Sequence, residues 1–143
     1  MLSVNSYPQD YVDSCRSTIA SNVSAYRDLI AKAIDVCGAT TLDTEIAAFE
    51  PVFFNNLLIV LDGYFTHRAR GLEKKDGNPL NEVRVLCNSM TSHHSTMTAD
   101  KTIKLDPDES VLGYRVGDKI TLSETDFLLI SKAFFAELER KFV

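Results

Sequence analysis

Four stretches of the chain carry apolar residues at the three- and four-residue spacing of an amphipathic helix. They cover residues 7–37, about 43–70, 78–90 and 124–142. Because steps of three and four residues return to the same side of a helix, each stretch predicts a helix with one buried face. In the last stretch the predicted buried residues are Phe127, Ile130, Phe134, Phe135, Leu138 and Phe142.

Local start and stop signals set most of the predicted helix ends. Gly38 is a typical C-terminal stop, and Asn78-Pro79 combines a capping side chain with a proline in the first helical position. A capping box at 121–124 or at 123–126 opens the last helix. Pro51 lies inside the second predicted helix, where we expect it to kink the helix or to mark a new start.

The segment before the last helix has a different pattern. Short β-prone pieces occur at 102–105, 111–116 and 119–122, and Gly117-Asp118 between the last two is typical of a tight hairpin turn. We therefore predict a single mainly α domain over residues 1–143. Its predicted fold is a four-helix up-and-down bundle with a small β-hairpin before the last helix.

The second and third predicted helices each carry a polar stripe on an otherwise apolar surface. Polar groups on such helices need partners or a ligand, because burying them unpaired costs several kcal/mol. We therefore place the candidate ligand-binding residues on these stripes. They are Asn55, Asp62, His67, Arg70, Asn81, Arg84 and Asn88.

An antiparallel pairing of these two helices places Asp62 level with Arg84, so we expect an ion pair between them. Two interpretations of the stripes stay open. One is a buried polar seam that fixes the register of the helices, and the other is a ligand-binding or catalytic groove. In the catalytic case Arg84, His67 and Asp62 are the candidates.

Composition limits the classes of protein that fit. The chain has 143 residues, of which 45% are apolar and 24% charged, as in a soluble globular domain. Its longest uninterrupted apolar run is 57–61, and the N-terminus lacks the features of a signal peptide, so we expect no membrane association. Three cysteines without metal-like spacing fit reduced thiols in a cytoplasmic protein.

The net charge of −5 is unevenly distributed. Residues 67–84 contain five basic and three acidic side chains, whereas the rest of the chain is acidic. An acidic protein is a poor general nucleic-acid binder, but a basic end could hold a small anionic ligand. The alternative is that these charges are solvated and complement a helix dipole. The basic end consists of His67, Arg68, Arg70, Lys74 and Arg84.

No specific catalytic or metal-binding signature is present. His67, His93 and His94 do not share a helix face, and the chain lacks the HExxH, phosphate-loop and nucleophile-elbow motifs. We therefore expect neither a bound metal nor another cofactor.

Two resemblances add to this interpretation. The run FEPVFFNNLLIVLDGYFTHRARGLEKKDGNPLNEVRVLCNS, with the later run ADKTIKLDPDESVLGYRVGDKITLSETDFLLISKAFFAELERKF, resembles a set of small actinobacterial proteins of unknown function. The resemblance covers about residues 49–142. It implies no particular activity.

A helix containing an arginine, followed by a loop and a G-D-K-I-x-L segment leading into the last helix, is similar to the layout of HEPN-type helical domains. Those domains are bundles, often dimeric, and many cut RNA with an arginine and a histidine that are separated by four to six intervening residues. Arg84 matches the arginine, but Ser89, Met90 and Thr91 follow at that spacing, and His93 is nine positions away.

Two classes of function follow from these patterns. The first is a non-enzymatic helical binding or dimerisation module, whose partner would be a second copy, a protein or a small anion. The second is a HEPN-like ribonuclease or another hydrolase that acts through Arg84 with a histidine or carboxylate of the groove. The absence of a nucleophile paired with a base favours the first class.

Overall fold

A computed structural model describes residues 2–143 of the chain, and it is mainly helical. The helices are α1 (Gln9–Cys37), α2 (Ala39–Tyr64), α3 (Arg70–Glu73), α4 (Pro79–Ser92) and α5 (Glu124–Phe142). Four of them are long, and α3 is a single turn. α1 packs on α2, and α4 packs on both α2 and α5.

Several helix ends lie where the capping signals placed them. α1 ends at Gly38, whose φ of 85° is a conformation that glycine adopts without strain. The Asn78 side chain caps α4 by accepting from the amides of Leu80 at 2.9 Å and Asn81 at 3.2 Å. Of the two possible capping boxes for α5, the structure forms the one at 123–126. α2 continues through Pro51 without a new start.

The second helix is shorter than predicted, because it ends at Tyr64 and not near Arg70. Beyond it the backbone turns and pairs with the N-terminal segment. The amide of Val4 donates to the carbonyl of His67, and the amide of Ala69 donates to the carbonyl of Val4, both at 2.8 Å. These contacts, distant in sequence, replace the last helical turn and bring residues 65–69 back toward the core.

The predicted β-hairpin is wrong, since residues 2–143 contain no sheet. The described chain has two isolated bridges, between Val4 and Arg68 and between Thr96 and Lys119. The backbone of residues 117–120 pairs with residues 95–97, and its one backbone bond to 111–116, from the amide of Asp118 to the carbonyl of Arg115, closes a turn and forms no strand pair. The segment that should have been the first strand is held instead by a buried carboxylate of α4, described below.

The apolar side chains form one core between the helices. Phe134 is fully buried, with its ring centroid 5.8 Å from that of Phe65 and 5.9 Å from that of Phe135. The predicted buried face of the last helix is confirmed, since all six residues named for it are buried.

Candidate functional site: the polar seam and the hairpin face

Arg68 is the centre of a buried polar seam between the end of α2, α3 and the start of α4. Its side chain is 0% exposed. Its Nε donates to Glu73 at 2.6 Å, and its Nη1 donates to Asp62 at 2.9 Å and to the carbonyl of Phe65 at 3.0 Å. Its Nη2 donates to the carbonyl of Leu80 at 3.2 Å. The guanidinium therefore joins the end of α2 to the beginning of α4.

Glu73 is the main anion of the seam and is also 0% exposed. Besides Arg68, it accepts from Arg84 at 2.6 and 3.0 Å and from the side-chain Nδ2 of Asn81 at 2.8 Å. Burial alone would raise the pKa of Glu73, but the hydrogen bond from Arg84 and the charges of Arg68 and Arg84 hold that pKa below its usual value. Glu73 is therefore ionised in the folded protein at neutral pH.

The expected Asp62–Arg84 ion pair is wrong. Asp62 bonds to Arg68, and Arg84 bonds to Glu73. The reason is the early end of α2, because it lets Arg68 fold back between the helices and take the position next to Asp62. The single turn of α3 then presents Glu73 to both arginines.

The other predicted site residues divide between the seam and the surface. Asn81 is buried within the seam. Asn55 is half-buried and bonds to the carbonyl of Ile120 at 2.9 Å and the amide of Leu122 at 3.0 Å, so it fastens the segment before α5. The remaining three, His67, Arg70 and Asn88, are exposed.

The seam is accordingly a closed polar cluster and not an open groove. No buried polar side-chain atom among residues 2–143 lacks a hydrogen-bond partner. Arg84 directs Nε and Nη2 at Glu73, and these bonds raise the pKa of Arg84 although its burial opposes the change. The arrangement stabilises a helix junction and leaves little of Arg84 free for a ligand.

The basic end is smaller than its sequence suggested, because Arg68 belongs to the interior. Arg70, Lys74 and Lys75 are exposed. The nearby Asp100 has its pKa lowered, first by hydrogen bonds from Thr102 and then by the charges of Arg70 and Lys75. This carboxylate neutralises part of the basic surface, so the charge available to an anion is modest.

Glu82 is a second buried carboxylate that sequence reasoning missed. It is 2% exposed and lies on α4. It accepts from the amide of Val111 at 2.8 Å and the amide of Leu112 at 2.9 Å. Burial raises the pKa of Glu82, and the two amide bonds only partly oppose this. A polar position on an otherwise apolar helix face was the available signal, but its backbone partners could not be identified from the sequence.

Cysteines and histidines do not assemble into a site. Cys15 and Cys87 are buried, as expected of small core residues, and Cys37 is exposed. Burial holds the pKa of the Cys87 thiol well above its usual value, so it is a poor nucleophile. Within residues 2–143 there is no group of three side chains that could hold a metal ion.

The end of the α1–α2 hairpin, in contrast, is largely exposed. Between Arg27 and Phe53 no side chain is buried, although fifteen of these 27 residues are apolar. By length and composition α2 could cross a membrane, with a mean hydropathy of 1.4 over its most apolar window, but only 22% of that window is buried. The buried part is its C-terminal half, around Leu58 and Leu61.

Exposed apolar side chains follow one side of this hairpin, which we call the hairpin face. Its members and their exposed fractions are Leu29 62%, Val36 72%, Phe49 43%, Val52 55% and Val60 44%. A shallow cavity of about 330 Å³ lies along the same side and is lined by Asn22 of α1 and Asn56 of α2. A larger groove of about 490 Å³ separates α1 from α5.

Comparison with protein-family models, with curated proteins and with solved structures finds no match. Both resemblances inferred from the sequence therefore stay predictions.

Proposed function

We propose that this chain is a non-enzymatic helical binding module, and that its working surface is the hairpin face. Its four long helices are best regarded as an up-and-down bundle from which one end of α1 and α2 projects. The observation that carries the proposal is the absence of any buried side chain between Arg27 and Phe53 in a segment that is mostly apolar.

Exposed apolar side chains occur along both helices of the projecting hairpin. Contiguous apolar patches of several hundred Å² on soluble proteins are typical of interaction sites. The side chains of the hairpin face contribute little to the core, so selection for stability does not account for them. A binding role does.

The polar seam supports the same proposal by its chemistry. A hydrolase needs a titratable group within hydrogen-bond reach of its substrate. Arg84, the candidate for a HEPN-like reaction, is held by Glu73, and His67 and His93 are exposed and are not among its hydrogen-bond partners. The seam therefore acts as a structural junction between the end of α2 and the start of α4.

The test is whether the hairpin face is free of a role in folding. Leu29→Glu and Val52→Glu should leave the melting temperature of dilute protein within about 2 °C of wild type, as is usual for surface substitutions. Both should reduce the fluorescence of an added apolar dye such as anilinonaphthalene sulfonate. Val116→Glu is the matched control, because Val116 is 69% exposed but lies away from the hairpin.

If Leu29→Glu or Val52→Glu lowers the melting temperature as much as a core substitution does, the face is part of the fold and the proposal fails. Equal dye binding by Val52→Glu and Val116→Glu would also contradict it.

A further inference from the structure

We infer that the hairpin face binds a second copy of this chain, with α1 of each copy lying along α2 of the other. The inference rests on the proposed function and names its partner. A two-fold interface between identical chains requires a surface that is complementary to itself. The following contacts within one copy indicate that the hairpin face has this property.

Aromatic contacts fix which residues of α1 and α2 are level with each other. The ring of Tyr26 stacks on Phe53 with 4.9 Å between centroids and meets the edge of Phe54 at 4.8 Å. The chain reverses at Gly38. In this register Asn22 is level with Asn56, and both line the same cavity.

The same register places the two α1 members of the face level with apolar residues of α2. Counting from Tyr26 toward the turn places Leu29 level with Phe49, and Val36 level with Leu42. A two-fold axis parallel to the helices carries α1 of the second copy over α2 without changing these levels. Leu29 of one copy then meets Phe49 of the other, and Val36 meets Leu42.

The side-chain amides of Asn22 and Asn56, which line the cavity, also face each other across this two-fold axis. Asn22 donates to the carbonyl of Thr18 at 2.8 Å, and Asn56 donates to the carbonyl of Val52 at 2.7 Å. Neither side-chain oxygen has a hydrogen-bond donor within the described residues. The two-fold axis sets Asn22 opposite Asn56 of the second copy, and polar pairs of this kind fix the register of packed helices.

Charged residues beside the face are also complementary. Lys32 of α1 and Glu45 of α2 are both exposed, lie at nearly the same level, and form no ion pair within residues 2–143. The two-fold axis places Lys32 of each copy next to Glu45 of the other. Each dimer therefore contains two such pairs.

The area of the hairpin face indicates a reversible dimer. With the half-buried Leu42 included, the face is about 27 Å long from Leu42 to Val60, at 1.5 Å per residue, and about 20 Å wide across two helices. Packing two copies would bury roughly 550 Å² on each, or about 1,100 Å² in total, near the lower limit of about 1,200 Å² for stable complexes. We therefore expect dissociation in the micromolar range.

Sedimentation equilibrium over concentrations from low to several hundred micromolar tests the inference. Wild type should shift from a monomer of 15.9 kDa toward twice that mass. Lys32→Glu and Glu45→Lys should each weaken association about tenfold, since two ion pairs become repulsive. The double variant Lys32→Glu/Glu45→Lys should restore wild-type association. Lys101→Glu, at an exposed site away from the hairpin, should have no effect.

Three results would overturn the inference. One is a monomer at every concentration, and another is a dimer that Leu29→Glu does not weaken. The third is a failure of the double charge reversal to restore association, because it would exclude the proposed register. A monomer that sediments with phosphatidylcholine–phosphatidylglycerol vesicles would identify the face as lipid-binding instead.

These outcomes are separable from failure of the proposed function. A monomer whose dye binding falls in Val52→Glu at unchanged stability keeps the hairpin face as a binding surface and excludes only the second copy.

Discussion

Removal of the Glu73 carboxylate should be among the most destabilising single changes in this protein. Glu73→Ala leaves the Arg68 side chain buried without its closest anion and removes the acceptor of Arg84 and Asn81. Stranding one partner of a buried ion pair typically costs about 3–5 kcal/mol. Domains of this size have about 5–15 kcal/mol of stability in total, so the variant should be marginally folded.

The structure also ranks the substitutions within the seam. Arg84→Ala should cost only about 1–2 kcal/mol, because Glu73 keeps its bonds to Arg68 and Asn81 and the Arg84 side chain is 21% exposed. Each kcal/mol corresponds to a change of about 3–5 °C in the melting temperature of a chain of this length. Glu73→Ala should therefore melt about 9–25 °C below wild type, and Arg84→Ala about 3–10 °C below it.

Thermal melts followed by circular dichroism give these values, with Glu109→Ala as the control at an exposed glutamate. If Glu73→Ala and Glu109→Ala have the same melting temperature, Glu73 is not a buried acceptor of the two arginines. If Arg84→Ala is the more damaging change, the assignment of Arg68 as the principal cation is wrong.

The pH dependence of stability provides a second measurement on Glu73. The pKa of Glu73 in the folded protein is below the ordinary value of 4.5. Ionised Glu73 therefore stabilises the fold above pH 4.5, and this stabilisation is lost as the pH falls through the lowered pKa. Urea unfolding at several acidic pH values should therefore show a loss of stability in wild type that is smaller in Glu73→Gln. The raised pKa of Glu82 has the opposite effect on stability, because the stabilisation that Glu82 provides is lost as the pH rises through its raised pKa. The effect of Glu73 is therefore obtained by comparing wild type with Glu73→Gln at each pH.

Three further substitutions test the core and the connections. Phe134→Ala should cost about 3–5 kcal/mol in urea unfolding, because the ring is 0% exposed; a loss under 1 kcal/mol would contradict its burial. Gly77→Ala should cost at least about 2 kcal/mol, because φ at Gly77 is +89° and the new Cβ would lie 2.2 Å from the carbonyl oxygen of Lys104. The control Gly63→Ala should be neutral or stabilising, because no atom lies within 4 Å of its new Cβ. Asn55→Ala should cost about 1–3 kcal/mol by leaving two backbone groups before α5 without partners, and unchanged stability would show that water replaces them.

The helices could be predicted because their signals are local. Apolar spacing and a capping side chain act within one or two turns, so Gly38, Asn78 and Ser123 mark helix ends in the sequence as they do in the structure. The buried face of α5 followed from the same periodicity. These elements depend little on residues far away in the chain.

The errors share a different cause, which is competition from distant segments. Periodicity continues past Tyr64, but pairing of residues 67–69 with Val4 outweighs one more turn of helix. The β-prone segment at 111–116 does not form a strand, because Glu82 captures two of its amides. Both partners are separated from their targets by tens of residues, and local propensity carries no information on such contacts.

The polar residues of α2 and α4 show the same limit. Their stripes indicated polar groups that need partners, but the identity of those partners depended on α3, a single turn within the predicted connection between the two helices. Glu73 has no apolar periodicity around it and could not be distinguished from the exposed charges beside it. Only the fold places it between Arg68 and Arg84.

The helix lengths explain why the C-terminal end of α2 is enclosed by the seam while the turn between α1 and α2 is left exposed. α1 has 29 residues and α2 has 26, whereas α4 has 14, so α4 can cover only about half of the pair at 1.5 Å per residue. Where α4 begins, polar groups are enclosed and must be paired, which the seam achieves. Beyond the reach of α4 the hairpin must either be polar or have a partner, and its apolar composition favours the partner. A shorter, more polar hairpin would satisfy the fold equally well, and this is the reason for regarding the projecting end as a feature of function rather than of stability.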